Sequence, residues 1–184
     1  ALDDYFPGIL DSNRVEGRLY GIPWYIDTNV LYYRRDLLQQ VGFGAPPTTW
    51  AEWEQMLGAI KALAGPRRYS ILLPLNEFWP LTTLALQQPS ELLRDGGRYG
   101  NFRSADFRRT LEFYASMFRR DWAPKMTNTQ VSNVWDEFGR GMFSFYISGP
   151  WNIAEFRKRM PRELQDAWMT APMPGPSGPG ISRA

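Results

Sequence analysis

Between residues 17 and 38 the chain reads GRLYGIPWYIDTNVLYYRRDLL. Five aromatic residues, Tyr20, Trp24, Tyr25, Tyr32 and Tyr33, surround one carboxylate, Asp27, and one amide, Asn29. Flat rings beside fixed hydrogen-bonding groups suit a sugar. The apolar C–H face of a pyranose lies on a ring, and its hydroxyls pair with carboxylate or amide. Trp24, Tyr25 and Asp27 fall in a non-periodic stretch between two predicted strands, a usual place for ligand contacts. Asp27 also has a plainer reading, an Asx turn with the backbone of Asn29.

Two further segments carry the same kind of chemistry. Residues 138–151 read FGRGMFSFYISGPW: a helix end, a tight Gly-x-Gly turn, a strand, and a helix opened by Gly149-Pro150-Trp151. The first N–H groups of a helix lack internal partners and can donate to a ligand oxygen, with Trp151 beside them. Asn76, Glu77, Phe78 and Trp79 follow a predicted strand end, a ligand-facing position in α/β sheets. The candidate contact residues are therefore Trp24, Tyr25, Asp27, Asn29, Glu77, Trp79, Gly149 and Trp151. Core packing is the competing reading for Trp151. It is the favoured one for Trp50 and Trp53, which share the apolar face of a predicted helix. Tyr32 and Tyr33 alternate on a strand, so one is expected to face in and the other out.

The chain has no His and no Cys. That excludes a Cys/His zinc site, a Ser-His-Asp triad and a Cys nucleophile. A glycosidase would need two carboxylates about 5–10 Å apart across a cleft. Glu52/Glu54 and Asp136/Glu137 lie one or two residues apart on predicted helices, where they do not face each other. Gly96-Gly97-Arg98-Tyr99-Gly100 lacks the Lys-Ser/Thr of a phosphate loop. No cofactor is expected. Eighteen Arg and three Lys are scattered among 19 acids, with a net charge of +2 and basic runs no longer than pairs. Nucleic-acid binding calls for a basic stripe, so nucleic acid is not an expected partner.

The elements that must position these residues alternate. Strands are predicted over 19–22, 30–33, 69–73, 143–147 and 168–171. A helix spans 34–41 and stops at Gly42. Thr49-Trp50-Ala51-Glu52 is a capping box opening a helix to about residue 63. Helices follow over 76–88, from the Ser104 cap to 120, over 133–139, and from Gly149-Pro150-Trp151 to 160. Residues 92–102 make a hairpin-like turn around Asp95-Gly96-Gly97. This is an α/β fold: a mixed sheet with helices on both faces. At 43 % hydrophobic and 15 % aromatic residues, the chain has the apolar content for a core of its own.

The motifs together resemble a known family. G-x-L-Y-G-I-P-W-Y followed by D-T-N-V-L-Y-Y-R-R-D-L-L is similar to the crossover segment of extracellular solute-binding proteins of sugar ABC transporters, the maltose-binding-protein-like family. Pro47-Thr48-Thr49-Trp50-Ala51-Glu52 resembles that family's helix start. The run from Ser104 to Ala123-Pro124 resembles its long helix, and F-x-x-G-x-x-x-F-x-I-x-G-P-W its later strand–helix turn. The resemblance implies a periplasmic-binding-protein-like lobe of type II. Residues 1–18 would be the end of a first lobe and the crossover, 19–174 the second lobe, and 175–184 a linker back. It also implies a sugar ligand, a membrane permease as partner, and a missing first lobe of the same protein. Location would be periplasmic or extracellular, with lipid anchoring open. Asp27 matches the family's sugar-contacting acid. The competing functions are a carbohydrate-active enzyme domain, marked by two convergent acids, and a plain interaction domain without a cleft.

Overall fold

A computed structural model describes residues 2–25, 27–131 and 133–180 of the chain. A short helix, α1 (Pro7–Asp11), precedes a two-strand hairpin of β1 (Arg14–Val15) and β2 (Arg18–Leu19). Glu16 and Gly17 both take positive φ at its tip, the geometry of a tight hairpin turn. The expected strand over 19–22 is therefore corrected: pairing ends at Leu19. Tyr20 and Ile22 are exposed, and Pro23 offers no N–H to continue a ladder.

The main sheet has the order β4-β7-β3-β8. Its strands are β3 (Val30–Arg34), β4 (Ile71–Leu72), β7 (Phe145–Ser148) and β8 (Trp168–Ala171). Between them run α2 (Arg35–Gln40), α3 (Trp50–Ala64), α4 (Trp79–Ala85), α5 (Ala105–Arg119), α6 (Val134–Gly139) and α7 (Asn152–Arg159). An outlying hairpin joins β5 (Leu93–Arg94) to β6 (Tyr99–Gly100). β4 runs parallel to β7, and β3 runs antiparallel to both β7 and β8. The carboxyl ends of β4, β7 and β8 thus meet the amino end of β3 on one edge of the fold.

Both sheet faces are covered. On one, Leu31, Tyr33, Phe145 and Ile147 pack against Trp53 and Leu57 of α3 and against Phe113 and Met117 of α5. Trp50 and Phe113 stack with ring centroids 4.4 Å apart. On the other, Tyr32, Leu72 and Trp168 pack against Phe138 of α6 and Phe156 of α7. The expected outward tyrosine is therefore absent. Tyr32 and Tyr33 point to opposite faces, and helices bury both.

Local signals account for the two long helices. The Thr49 hydroxyl accepts from the Glu52 N–H at 3.1 Å, and the Glu52 carboxylate accepts from the Thr48 and Thr49 N–H groups at 2.8 and 3.1 Å. Those backbone and side-chain bonds, Thr48's first, hold the Glu52 carboxyl below the usual carboxylate range. Ser104 caps α5 by accepting from the Phe107 N–H at 3.2 Å. The stretch after β8 is fastened to the start of α3. The Trp50 N–H donates to the Gly175 carbonyl at 2.8 Å, and its indole donates to Pro174 at 3.0 Å.

Arg34 closes β3 and anchors α6. It is 5 % exposed. Its guanidinium forks onto Asp36 at 2.8 and 2.7 Å and donates to the carbonyls of Phe138 and Gly139, both at 2.8 Å. Those carbonyls belong to the last turn of α6, where a helix has no internal donors left.

Candidate sugar-binding cleft

A cleft of about 620 Å³ opens at the edge where the strand ends meet. Four residues singled out from the sequence line it: Asp27 and Asn29 ahead of β3, Trp79 at the start of α4, and Trp151 after β7. Asn29 is fixed by donating its amide to Thr83 Oγ1 at 3.0 Å. Trp151 is 57 % exposed, and its ring lies over Gly149. A Cβ built on Gly149 would come within 1.5 Å of that ring. Glycine here lets an aromatic plate lie flat on the backbone. The Gly149 carbonyl also accepts from the Tyr32 hydroxyl at 2.8 Å, which ties the turn to the core.

The other named residues sit elsewhere. Trp24 and Tyr25 are 94 % and 74 % exposed and do not line this cleft. Glu77 also lies outside the lining; its carboxylate accepts from the Asn128 amide. The expectation of free N–H groups at the start of α7 is overturned. The Asn152 and Ile153 N–H groups donate to the Gly149 and Pro150 carbonyls at 3.1 Å each, so the turn itself uses them.

Several lining residues carried no signal that the sequence reading used: Trp135, Tyr146, Asn152 and Glu155. Tyr146 is on β7 and was hidden inside an apolar strand. Asn152 and Glu155 lie one and four residues past Trp151, so helical spacing could have found them. Trp135 follows the Asn133 cap at the start of α6. A second hollow of about 110 Å³, lined by Leu72, Met126, Met142 and Phe143 among others, is mostly apolar. Gln130 and Glu137 are its polar lining residues, and no aromatic ring other than Phe143 lines it.

The cleft is polar at fixed points. The Glu155 carboxylate accepts from Arg159 Nε at 2.6 Å, and that bond holds its carboxyl below the usual range. Burial pushes the Tyr146 phenol up; the Ser148 hydrogen bond opposes this and the Glu77 charge adds to it. At neutral pH Tyr146 is therefore an uncharged phenol, able to donate or accept.

Burial raises Tyr32 as well, with a further push from Tyr146. An unfolded tyrosine ionises near pH ~10. The folded phenols ionise later, so the unfolded state loses its protons first. The contribution of these tyrosines to stability should be flat below about pH 10 and fall above it. Urea melts at pH 7 and pH 11 on the parent and on Tyr32→Phe check this. The variant should lose about 1 kcal/mol at pH 7, from the lost hydrogen bond between the Tyr32 hydroxyl and the Gly149 carbonyl. It should fall less steeply at pH 11. An equal or steeper fall would mean that Tyr32 does not contribute to the alkaline loss.

A mixed sheet covered by helices on both faces, with its cleft at the strand ends, is the lobe fold of type II periplasmic binding proteins. Residues 1–180 match the family described as bacterial extracellular solute-binding protein, and the chain belongs to that family. The sugar-binding protein MalE from Xanthomonas citri superimposes with a TM-score of 0.92 at 55 % identity, over 99 % of this chain and 46 % of that one. A probable ABC transporter-binding protein of Deinococcus radiodurans is 48 % identical over 64 residues, 35 % of this chain and 15 % of that protein. The mannitol-binding protein of Pseudomonas aeruginosa is 25 % identical over 154 residues, 80 % of this chain and 35 % of that protein. The chain thus spans less than half the length of each.

Proposed function

We propose that this chain is the second lobe of a binding protein that captures a sugar or oligosaccharide and delivers it to an ABC importer in the membrane. The observation that carries the reading is the cleft itself. Trp79, Trp135, Trp151 and Tyr146 surround Asp27 and Asn29 in one concavity. Rings for the C–H faces and fixed polar groups for the hydroxyls are what sugar recognition needs. The relatives named as sugar-binding and mannitol-binding agree with it. Residues 1–18 then form the end of the first lobe and the crossover, 19–174 the second lobe, and 175–184 the return. Phe6, Tyr20, Ile22, Trp24 and Tyr25 stand exposed along the early segment, as expected if another lobe covers them. Ligand enters an open cleft, the lobes close, and the closed form is presented to the permease outside the cytoplasm.

Catalysis has one observation in its favour, because Asp27 and Glu155 line the same cleft. A retaining or inverting glycosidase needs one acid with a raised pKa to protonate the leaving oxygen. Glu155 is shifted the other way by Arg159 and holds no proton to give at neutral pH. The reading is therefore binding without turnover.

The test is titration calorimetry of the full-length protein with mono-, di- and trisaccharides and mannitol, followed by chromatography of the incubated mixtures. At least one ligand should bind, and every ligand should be recovered unchanged. Hydrolysis lost on Asp27→Asn would make the protein an enzyme. No binding to any of them would remove the sugar reading.

A further inference from the structure

We propose that Trp135 is a second ring wall of the cleft and that Asn152 is the positioning residue that holds it in place. The inference rests on the sugar-binding reading above and extends it to a pair that the sequence did not connect. Trp135 lies at the start of α6, Asn152 at the start of α7, and both line the cleft.

The residue is held at three points, two of them on the ring. Its backbone N–H donates to the Asn133 Oδ1 cap at 3.1 Å. Its indole Nε1–H donates to Asn152 Oδ1 at 2.9 Å. The Arg159 guanidinium covers one ring face, 4.2 Å from the centroid. Arg159 is itself held by Glu155 at 2.6 Å. The rest of the indole is shared between the core, against which it packs, and the cleft that it lines.

Asn152 is built for this task. It is 6 % exposed, and its Nδ2 donates to Ser148 Oγ at 3.2 Å. The amide nitrogen is thus engaged by the last residue of β7, which turns the oxygen toward the indole. Sheet, amide and ring form one chain of contacts from β7 to the cleft wall. Packing alone would not need a buried amide here, because a buried polar group without partners is costly. A preorganised wall gives affinity by removing the ordering cost that a mobile indole would incur on binding.

The experiment uses full-length protein and calorimetry with maltose, maltotriose, trehalose and mannitol. The tightest of these then serves as probe for Asn152→Leu, Asn152→Asp, Trp135→Leu and the Asn152→Leu/Trp135→Leu double variant. Trp135→Leu should weaken binding about tenfold through lost ring contact. Asn152→Leu should weaken it by a similar factor, and the double variant no more than Trp135→Leu alone, because Asn152 acts through the ring. Asn152→Asp keeps an acceptor for the indole and should stay within about threefold of the parent. An unchanged Kd in Trp135→Leu overturns the proposal, as do additive losses in the double variant. Should Asn152→Leu fail to fold, Trp135→Leu and Asn152→Asp decide the matter. A parent that binds none of the four probes defeats the sugar reading and this inference with it. A parent that binds while Trp135→Leu and Asn152→Leu bind equally well defeats this inference alone.

Discussion

Replacing Trp151 by alanine is expected to weaken sugar binding by about 1–3 kcal/mol, roughly ten- to a hundredfold, through loss of apolar contact with the ligand. The fold should survive, because the ring is 57 % exposed and substitutions at such positions rarely cost much stability. Gly149→Ala should have a comparable effect with the tryptophan still present. Its new Cβ would sit 1.5 Å from the present ring position, so the ring must swing away. Calorimetry beside a thermal melt separates the outcomes. A core role predicts a sharp fall in Tm and normal binding per folded molecule. A ligand platform predicts the reverse in both variants. If Gly149→Ala binds normally while Trp151→Ala does not, the ring matters but its place over Gly149 does not.

Arg34→Ala is expected to cost about 3–5 kcal/mol of stability, the range for breaking a buried charged network by removing one partner. The loss takes the Arg34 donor from the Gly139 carbonyl, takes one of the donors from the Phe138 carbonyl, which keeps the Gly141 N–H, and leaves Asp36 without its fork. For a chain of this size that is a drop in Tm of roughly 6–20 °C. Arg34→Lys should recover only part of it, because an ammonium is a point donor and cannot reproduce a planar fork onto one carboxylate and two carbonyls. Urea denaturation of both variants provides the check. A loss below about 1 kcal/mol for the alanine variant would reduce Arg34 to an ordinary surface ion pair.

Where local chemistry decides the structure, the sequence was easy to read. Thr49 and Glu52 announce α3, Ser104 announces α5, and Asp95-Gly96-Gly97 announces the turn between β5 and β6. Apolar, β-branched and aromatic content marked residues 30–33 and 168–171 as two strands of the main sheet. Residues 19–22 misled because β-propensity reports fitness for a half-buried surface, and these residues have no surface to bury against. Tyr32 and Tyr33 misled because a sheet covered on both faces buries both sides of its strands.

In the cleft, Asp27, Asn29, Trp79 and Trp151 were legible because each flanks a strand or helix end. Trp135 and Asn152 were not. Their contact joins the starts of two helices 17 residues apart and exists only once α6 and α7 pack on the same sheet face. Nothing in the sequence near Trp135 distinguishes a ring wall from a core ring. The reading of free donors at the start of α7 failed for a local reason: Gly149-Pro150 forms a turn that takes up the N–H groups a regular start would leave open.

The register of β3 on β7 separates two jobs. Val30 faces Ser148 across the ladder, so Asn29 and Gly149 are neighbours because the sheet makes them so. A slip of one residue would exchange the two buried faces of β3, setting Leu31 and Tyr33 where Tyr32 now packs, and the two cores would resist it. The rings and polar tips hung on this edge carry no such penalty, since Trp151 and Asp27 can change without disturbing a strand. Foldability therefore resides in the ladder and selectivity in the fringe. Descendants of this chain can exchange one ligand for another by altering the fringe while inheriting the frame intact, and a protein engineer can work along the same seam.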